Sequence, residues 1–297
     1  MLIHIQKGGK NYSVRVKMRW LIFTLLLALV IVESADERKP HHHQGILKPY
    51  SGEHIPYSIT KEDVEKLGKG GFVTQLTREG KSGRGIIIQD VEAPPHVCMD
   101  RIRDLKNYKK VVPNLKSITN IEVTKEADGS EVITSKWNVG VSLVGFTYFL
   151  KLRYDAKYNT YSWTLDYSKS SDFDDNTGFW QVLPHPDKGP DHTRVVYSTE
   201  VKLFNWIPEF VVTFLTKTAL ISSTEWVKRE SEKVQKTGKT LDGGPTASPP
   251  FPSPDISSCF SATEDGGQKY DPSCANAGPR KGRNSGVEGS TDSEEEL

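Results

Sequence analysis

From Arg84 to Lys236 the chain reads as one strand, a short helical break, a run of alternating strands, and one long apolar helix starting at Pro208. This order is not a simple meander. Strands followed by a single closing helix make a two-layer α+β unit, a curved antiparallel sheet under one C-terminal helix. Such layers leave an apolar space between them, and that space is a place to keep a greasy ligand.

The individual elements carry the expected signals. Gly85 to Val91 is β-branched and bounded by glycine, as a strand should be. Pro94 and Pro95 stop it, and Pro95 fits the first turn of a helix over His96 to Leu105. A second helical turn over Asn107 to Val112 ends at Pro113. Period-two alternation then places Ile118, Asn120 and Glu122 opposite Thr119, Ile121 and Val123, with a hairpin turn at Ala127-Asp128-Gly129. Trp137 and Val139 share one face of the next strand, and Phe146, Tyr148 and Leu150 share a face of the one after. Trp163 and Leu165, then Trp180, then Tyr197 and Thr199 continue that face through the later strands. The closing helix presents Phe210, Phe214 and Thr218 on its apolar stripe. These thirteen residues are the expected ligand-binding wall, because Trp and Tyr rings line a cavity while their N–H and O–H groups meet a ligand's polar end.

Charge and cysteine content narrow the function classes. Lys and Arg number 39 against 38 Asp and Glu, a formal charge of +1, so there is no electrostatic footprint for nucleic acid. With 36% hydrophobic residues and a mean hydropathy of −0.51, part of the 297-residue chain should lie outside any core. Cys98 reads as a small core residue, and Cys259 and Cys274 can pair in an oxidising compartment. No Cys/His metal-ligand spacing is present, and no cofactor or metal is expected.

Outside 81–236 three further regions are expected. Residues 1–34 hold the uncharged run Trp20 to Val32 behind Lys10, Arg15, Lys17 and Arg19. Thirteen helical residues span about 20 Å, short of the roughly 30 Å hydrocarbon core, which fits a secretory signal peptide cleaved after Ser34, or a short uncleaved anchor. The expected localisation is therefore the secretory pathway, secreted or held at a membrane surface. Residues 35–80 read as a mostly irregular linker with one short helix over Thr60 to Leu67, capped by Thr60 and Asp63. His41-His42-His43 reads as a flexible polar run, since no carboxylate is close in sequence, and Asp172 to Asp175 read as ordinary turn residues. Residues 237–297 are too polar to offset ordering entropy and read as a disordered tail, with an acidic end that can accept phosphate at Ser293.

Val91-Glu92-Ala93-Pro94-Pro95-His96-Val97, Leu105-Lys106-Asn107-Tyr108, Val111-Val112-Pro113 and Gly178-Phe179-Trp180-Gln181-Val182, with the final helix, resemble START-like helix-grip domains. The coenzyme Q-binding and polyketide cyclase branch is the most similar. The resemblance covers about half the chain and rests on the order of elements. It implies a sheet of about seven strands wrapped on the C-terminal helix, around a cavity for lipids, sterols, isoprenoid quinones or polyketides. The expected function is storage or transfer of such a ligand, with no catalytic residue. A polyketide cyclase-like enzyme and a membrane-tethered adaptor acting through the tail are the alternatives. Against catalysis, Asp166 and Glu200 have outward parity, and His185 and His192 flank a Pro/Gly-rich loop where they should be solvated.

Overall fold

The computed structural model describes residues 2–7, 10–15, 35–51, 53–141, 144–207, 209–214, 220–242 and 257–273. Two strands, β1 (Leu2–Lys7) and β2 (Lys10–Arg15), pair as an antiparallel hairpin. The apolar run Trp20 to Val32 lies outside the described residues. Among those described, no helix is long and apolar enough to cross a membrane.

The main body contains β3 (Tyr57–Ile59), α1 (Lys61–Gly68), β4 (Phe72–Glu79), β5 (Ser82–Val91), α2 (Pro95–Arg103) and α3 (Tyr108–Val111). Six long strands follow: β6 (Leu115–Lys125), β7 (Glu131–Val141), β8 (Val144–Asp155), β9 (Thr160–Leu165), β10 (Asp175–His185) and β11 (Gly189–Lys202). The closing helix is described as α4 (Glu209–Phe214) and α5 (Leu220–Thr237), and a C-terminal segment adds β12 (Phe260–Ala262) and β13 (Gln268–Tyr270).

Eight strands form one antiparallel sheet in the order β4-β5-β11-β10-β9-β8-β7-β6. The helical break between β5 and β6 carries the chain to the far edge, and the meander returns until β11 closes on β5. This is the helix-grip arrangement, with β4, in the stretch expected to be a linker, as an eighth strand. Phe72 to Glu79 is held there by its hairpin with β5, turning at Gly80 with φ +55°.

The inward parity of β7 to β11 is as expected: Ile133, Trp137, Phe146, Tyr148, Leu150, Leu152, Trp163, Leu165, Trp180, Val182 and Val195 all enter one core. Helix α5 supplies Trp226, Val227 and Val234 to that core. Burying each such large side chain contributes on the order of 2 kcal/mol. In β6 the alternation breaks, because the register slips between Thr119 and Glu122 with Asn120 at φ +51°. Ile118 and Ile121 therefore both pack toward the core, although simple parity sets them on opposite faces.

The opposite face of the sheet is also covered, which corrects two expectations. Residues 35–51 and 53–56 are a strap laid across β10 and β11, not a free linker: Tyr50 packs on Phe179 at 4.4 Å and its hydroxyl lies 3.2 Å from Ser198 Oγ, and Ile55 exchanges hydrogen bonds with the Gln181 side chain at 2.6 and 3.2 Å. The helix at Lys61 is present with its Thr60–Asp63 capping box. Residues 257–273, expected to be disordered, form β12 and β13, which join β3 in a three-stranded sheet. Their few apolar groups suffice because Tyr57, Ile59, Cys259 and Tyr270 complete a second core with Ile88, Phe179, Leu183 and Val196 of the main sheet. Cys259 is disulfide-bonded and Cys98 is a buried free thiol.

A buried ionic knot joins this cover to the sheet. Arg194 grips Asp90 with two hydrogen bonds of 2.7 and 3.0 Å, and His185 Nε2 donates to Asp90 at 3.0 Å. Arg194 also donates to Gln268 of β13 at 2.5 Å. Burial works against the Asp90 charge, but the bonds from His185 and Arg194 outweigh it and hold the carboxyl far below its usual range. His185, expected in solvent, is buried instead, with Nε2 on Asp90 and Nδ1 accepting the Asp187 amide at 3.0 Å. His192 is half-buried.

Candidate functional site

Between the inner face of the sheet and α5 lies a cavity of about 190 Å³. The strands deliver its wall from alternate positions, including Trp137 and Val139, Tyr148 and Leu150, Trp163, Trp180, and Tyr197 and Thr199. Helix α5 closes it with Leu220 and Trp226, and α3 adds Tyr108. The rings form one connected belt. Trp163 stacks on Tyr197 at 5.7 Å, Tyr197 meets Trp180 at 4.4 Å, and Trp226 meets Trp180 at 6.5 Å and Tyr108 at 4.8 Å. Tyr108 touches Trp137 at 5.7 Å, Trp137 stacks on Tyr148 at 6.1 Å, and Tyr148 meets Phe173 at 4.8 Å. Exposed Pro113 and Asn114 also line the cavity, so it reaches the surface at the loop before β6.

Two glycines shape this space. A Cβ on Gly178 would lie 2.2 Å from Trp163 Cζ2, so the indole lies directly on the bare backbone of β10. A Cβ on Gly85 would lie 2.3 Å from Leu220 Cδ2, which lets α5 begin close against β5.

The polar groups are few and uncharged. Trp163 Nε1 donates to Asn176 Oδ1 at 2.7 Å, Trp137 Nε1 donates to Ser135 Oγ at 2.9 Å, and the Tyr108 hydroxyl donates to the Ile102 carbonyl. The Tyr161 hydroxyl is buried without a hydrogen-bond partner. Burial pushes Tyr197 up to about 12 and raises Tyr108, Tyr148 and Tyr161 further, so these phenols stay neutral. Among the described residues no Asp, Glu, His, Lys or Arg lines the cavity. A second cleft of about 260 Å³ shares Thr199, Val201 and Leu220 with it as a common wall.

The expected wall and the observed one overlap in part. Phe146 and Leu165 are buried in the same core but do not line the cavity. Parity assigns a face and not a depth along the strand: Phe173 stacks on Phe146 at 5.4 Å and stands in its place. The side chains of Phe210 and Phe214, and all of Thr218, lie outside the described residues. Tyr108, Phe173, Asn176, Leu220 and Trp226 were missed. Trp226 had a signal, since Leu220, Thr224, Val227, Ser231 and Val234 are buried at helical spacing and Trp226 lies beside that stripe. Phe173 had none, being in an irregular segment between strands.

A second group of chemically capable side chains lies where the strap crosses the start of β10. The fold brings His41, His42 and His43 to Asp174, with one ligand atom of each within 4.8 Å of all the others. The histidines, expected to be a flexible polar run with no carboxylate close in sequence, thus meet one that is distant in sequence and brought to them by the fold. The neighbouring acids are anchors and not ordinary turn residues. Asp175 accepts from the Ile46 and Leu47 amides at 2.7 and 2.8 Å and from Tyr167, and Asp172 accepts from the Ala35 and Thr147 amides.

Residues 91–220 match the family model described as "Polyketide cyclase / dehydrase and lipid transport". No curated protein matches. Among solved structures, an aromatase/cyclase from Streptomyces sp. R1128 is similar at 13% identity over 54% of this chain and 99% of that one, with a TM-score of 0.44. A START superfamily protein from Mycobacterium smegmatis is 17% identical over 55% of this chain and 98% of that one, TM-score 0.40. A STAR-related lipid transfer protein from Xanthomonas axonopodis is 10% identical over 53% and 98%, TM-score 0.39. Shape similarity at this level assigns no ligand. From the end of β5 to the start of α5, residues 91–220, the chain is thus similar to the polyketide cyclase / dehydrase and lipid transport family.

Proposed function

We propose that the domain binds an apolar, ring-bearing small molecule in the aromatic cavity, for storage or transfer and without transforming it. The observation that carries this reading is the lining: a belt of Trp and Tyr rings with uncharged polar groups only. General acid–base chemistry needs a group that titrates near the working pH within hydrogen-bond reach of the substrate. Phenols raised by burial do not meet that need, which favours holding over cyclising.

The volume limits the occupant. Ligand pockets usually measure about 300–1,000 Å³, whereas an engineered apolar cavity of about 150 Å³ holds benzene. At about 190 Å³ the cavity suits one ring or two fused rings. A longer isoprenoid or sterol requires Leu220 to move, so that the cavity opens into the neighbouring cleft. Tryptophan emission should therefore change on titration with naphthol at micromolar concentration. Emission that ignores naphthol, phenol and short-chain quinones alike would remove the basis of this reading.

We also propose that the protein follows the secretory route and works at a membrane surface. Support comes from the apolar run Trp20 to Val32, the disulfide at Cys259 and Trp206, which is 48% exposed and stacked on Phe204.

A further inference from the structure

We propose that His41, His42, His43 and Asp174 form a closed four-ligand site for a divalent transition metal of the zinc class, which fastens the strap to β10. Three imidazole nitrogens with one carboxylate oxygen are a donor set suited to zinc, and four protein ligands leave no position for a substrate. The spacing is near what is needed. Nε2 of His42 and of His43 lie 2.8 and 3.5 Å from Asp174 Oδ1, and the four ligand atoms all lie within 4.8 Å of one another, with His41 Nε2 turned to the Asp174 carbonyl at 2.8 Å. Ligand atoms around a tetrahedral zinc with bonds of about 2.0–2.1 Å are about 3.3 Å apart.

One further feature points to an occupant, and two more describe its surroundings. His43 Nε2 is buried with no hydrogen-bond partner. Lys202 lies 3.6 Å from Asp174 Oδ2, on the oxygen that does not face the imidazoles. Aromatic rings hem the histidines in: Tyr167 lies 6.1 Å from His41 and 5.9 Å from His43, and Phe204 lies 5.4 Å from His42.

One rearrangement accompanies loading. Nδ1 of His43 accepts the Gly45 amide at 3.0 Å and Nδ1 of His41 accepts the Ser171 amide at 3.4 Å, so without metal both rings carry their proton on Nε2. Coordination through Nε2 moves that proton to Nδ1 and releases the two amides. The Gly45 peptide is in an exposed loop at φ +107° and can turn, and the Ser171 contact is already long. A bound metal would hold Asp174 two residues before Asn176, on the approach to Gly178 and Trp180, and so steady one wall of the cavity.

The test uses the full chain purified in detergent without a polyhistidine tag, stripped with chelator and titrated with Zn(II) and with Co(II). The expected result is one metal per chain by elemental mass spectrometry and a Co(II) visible spectrum of tetrahedral type. His42→Ala, whose side chain is 52% exposed and safe to remove, should weaken binding at least tenfold, as should Asp174→Asn, while Lys202→Met and His96→Ala retain it. Absence of stoichiometric metal, or binding unchanged in both His42→Ala and Asp174→Asn, overturns the proposal. If Asp174→Asn fails to fold, His42→Ala decides alone.

Discussion

Replacing Gly178 by alanine tests whether the cavity wall is built as described. The new Cβ would meet Trp163 Cζ2 at 2.2 Å and the Ser198 carbonyl oxygen at 2.5 Å, whereas ordinary contact begins at 3.4 Å. The indole must therefore retreat by about 1.2 Å, the difference between 3.4 and 2.2 Å. It has no free direction. Tyr197 stacks on it at 5.7 Å, and its Nε1–H is committed to Asn176 at 2.7 Å. The Ser198 carbonyl cannot yield without disturbing the pairing of Gly178 with Thr199 and of Phe179 with Ser198. Over-packing of this kind costs about 1–3 kcal/mol and a lost hydrogen bond about 1 kcal/mol, so the total is roughly 2–4 kcal/mol. For a folded unit of this size that lowers Tm by roughly 5–15 °C. The sign discriminates, because a glycine with room for a methyl gains about 0.4–1 kcal/mol when replaced by alanine, through the unfolded chain. Thermal unfolding, with the Trp163 indole resonance followed by NMR, gives the answer. A Gly178→Ala protein as stable as the parent, with that resonance unmoved, would refute the packing described for Trp163.

Two other perturbations address the cover and the membrane surface. His54 donates from Nε2 to the Tyr158 carbonyl and accepts the Tyr270 hydroxyl at Nδ1, and burial draws its pKa below 6.5. Because the neutral ring is the folded form, its stabilisation is complete above pH 6.5 and is lost as pH falls through 6.5 toward the lower folded value. Amide protection factors in Tyr57–Ile59 and Gln268–Tyr270, taken relative to the intrinsic exchange rate at each pH, should fall between pH 7.5 and 5.5 (about one unit either side of the free histidine value), and His54→Gln should flatten that response. Protection factors in the parent protein that do not change over this range would contradict it. Trp206→Ala should weaken binding to phospholipid vesicles about tenfold, from about 1.5 kcal/mol of interfacial burial, and leave Tm nearly unchanged. Equal vesicle binding by both proteins would remove Trp206 as a membrane contact.

The inner layer was legible because its signal is local. Alternation assigns faces wherever a strand is regular, so Trp137, Tyr148, Trp163, Trp180 and Tyr197 could be grouped before any fold was known. It failed at the Asn120 bulge, where one extra residue reverses parity. It was also silent on depth, which is why Phe146 and Leu165 were placed on the wall and Phe173 was not. The outer cover was illegible for a different reason. Residues 35–56 and 257–273 have no period of their own, and they are held by side chains far away in sequence: Asp175 for Ile46, Gln181 for Ile55 and Arg194 for Gln268. A segment that completes someone else's surface needs little apolar content, so composition alone reads it as linker or tail. The same distance in sequence, 41–43 against 174, hid the imidazole–carboxylate cluster.

Native mass spectrometry of the protein from its own cells, with organic extraction of whatever it carries, bears most directly on the claim that the aromatic cavity holds an apolar ring-bearing molecule. The account predicts a single adduct at one per chain that leaves on extraction, absorbs as an aromatic or quinonoid compound, and is displaced in the Gly178→Ala protein. A chain at its bare polypeptide mass that also takes up no naphthol or short-chain quinone when these are supplied would contradict it.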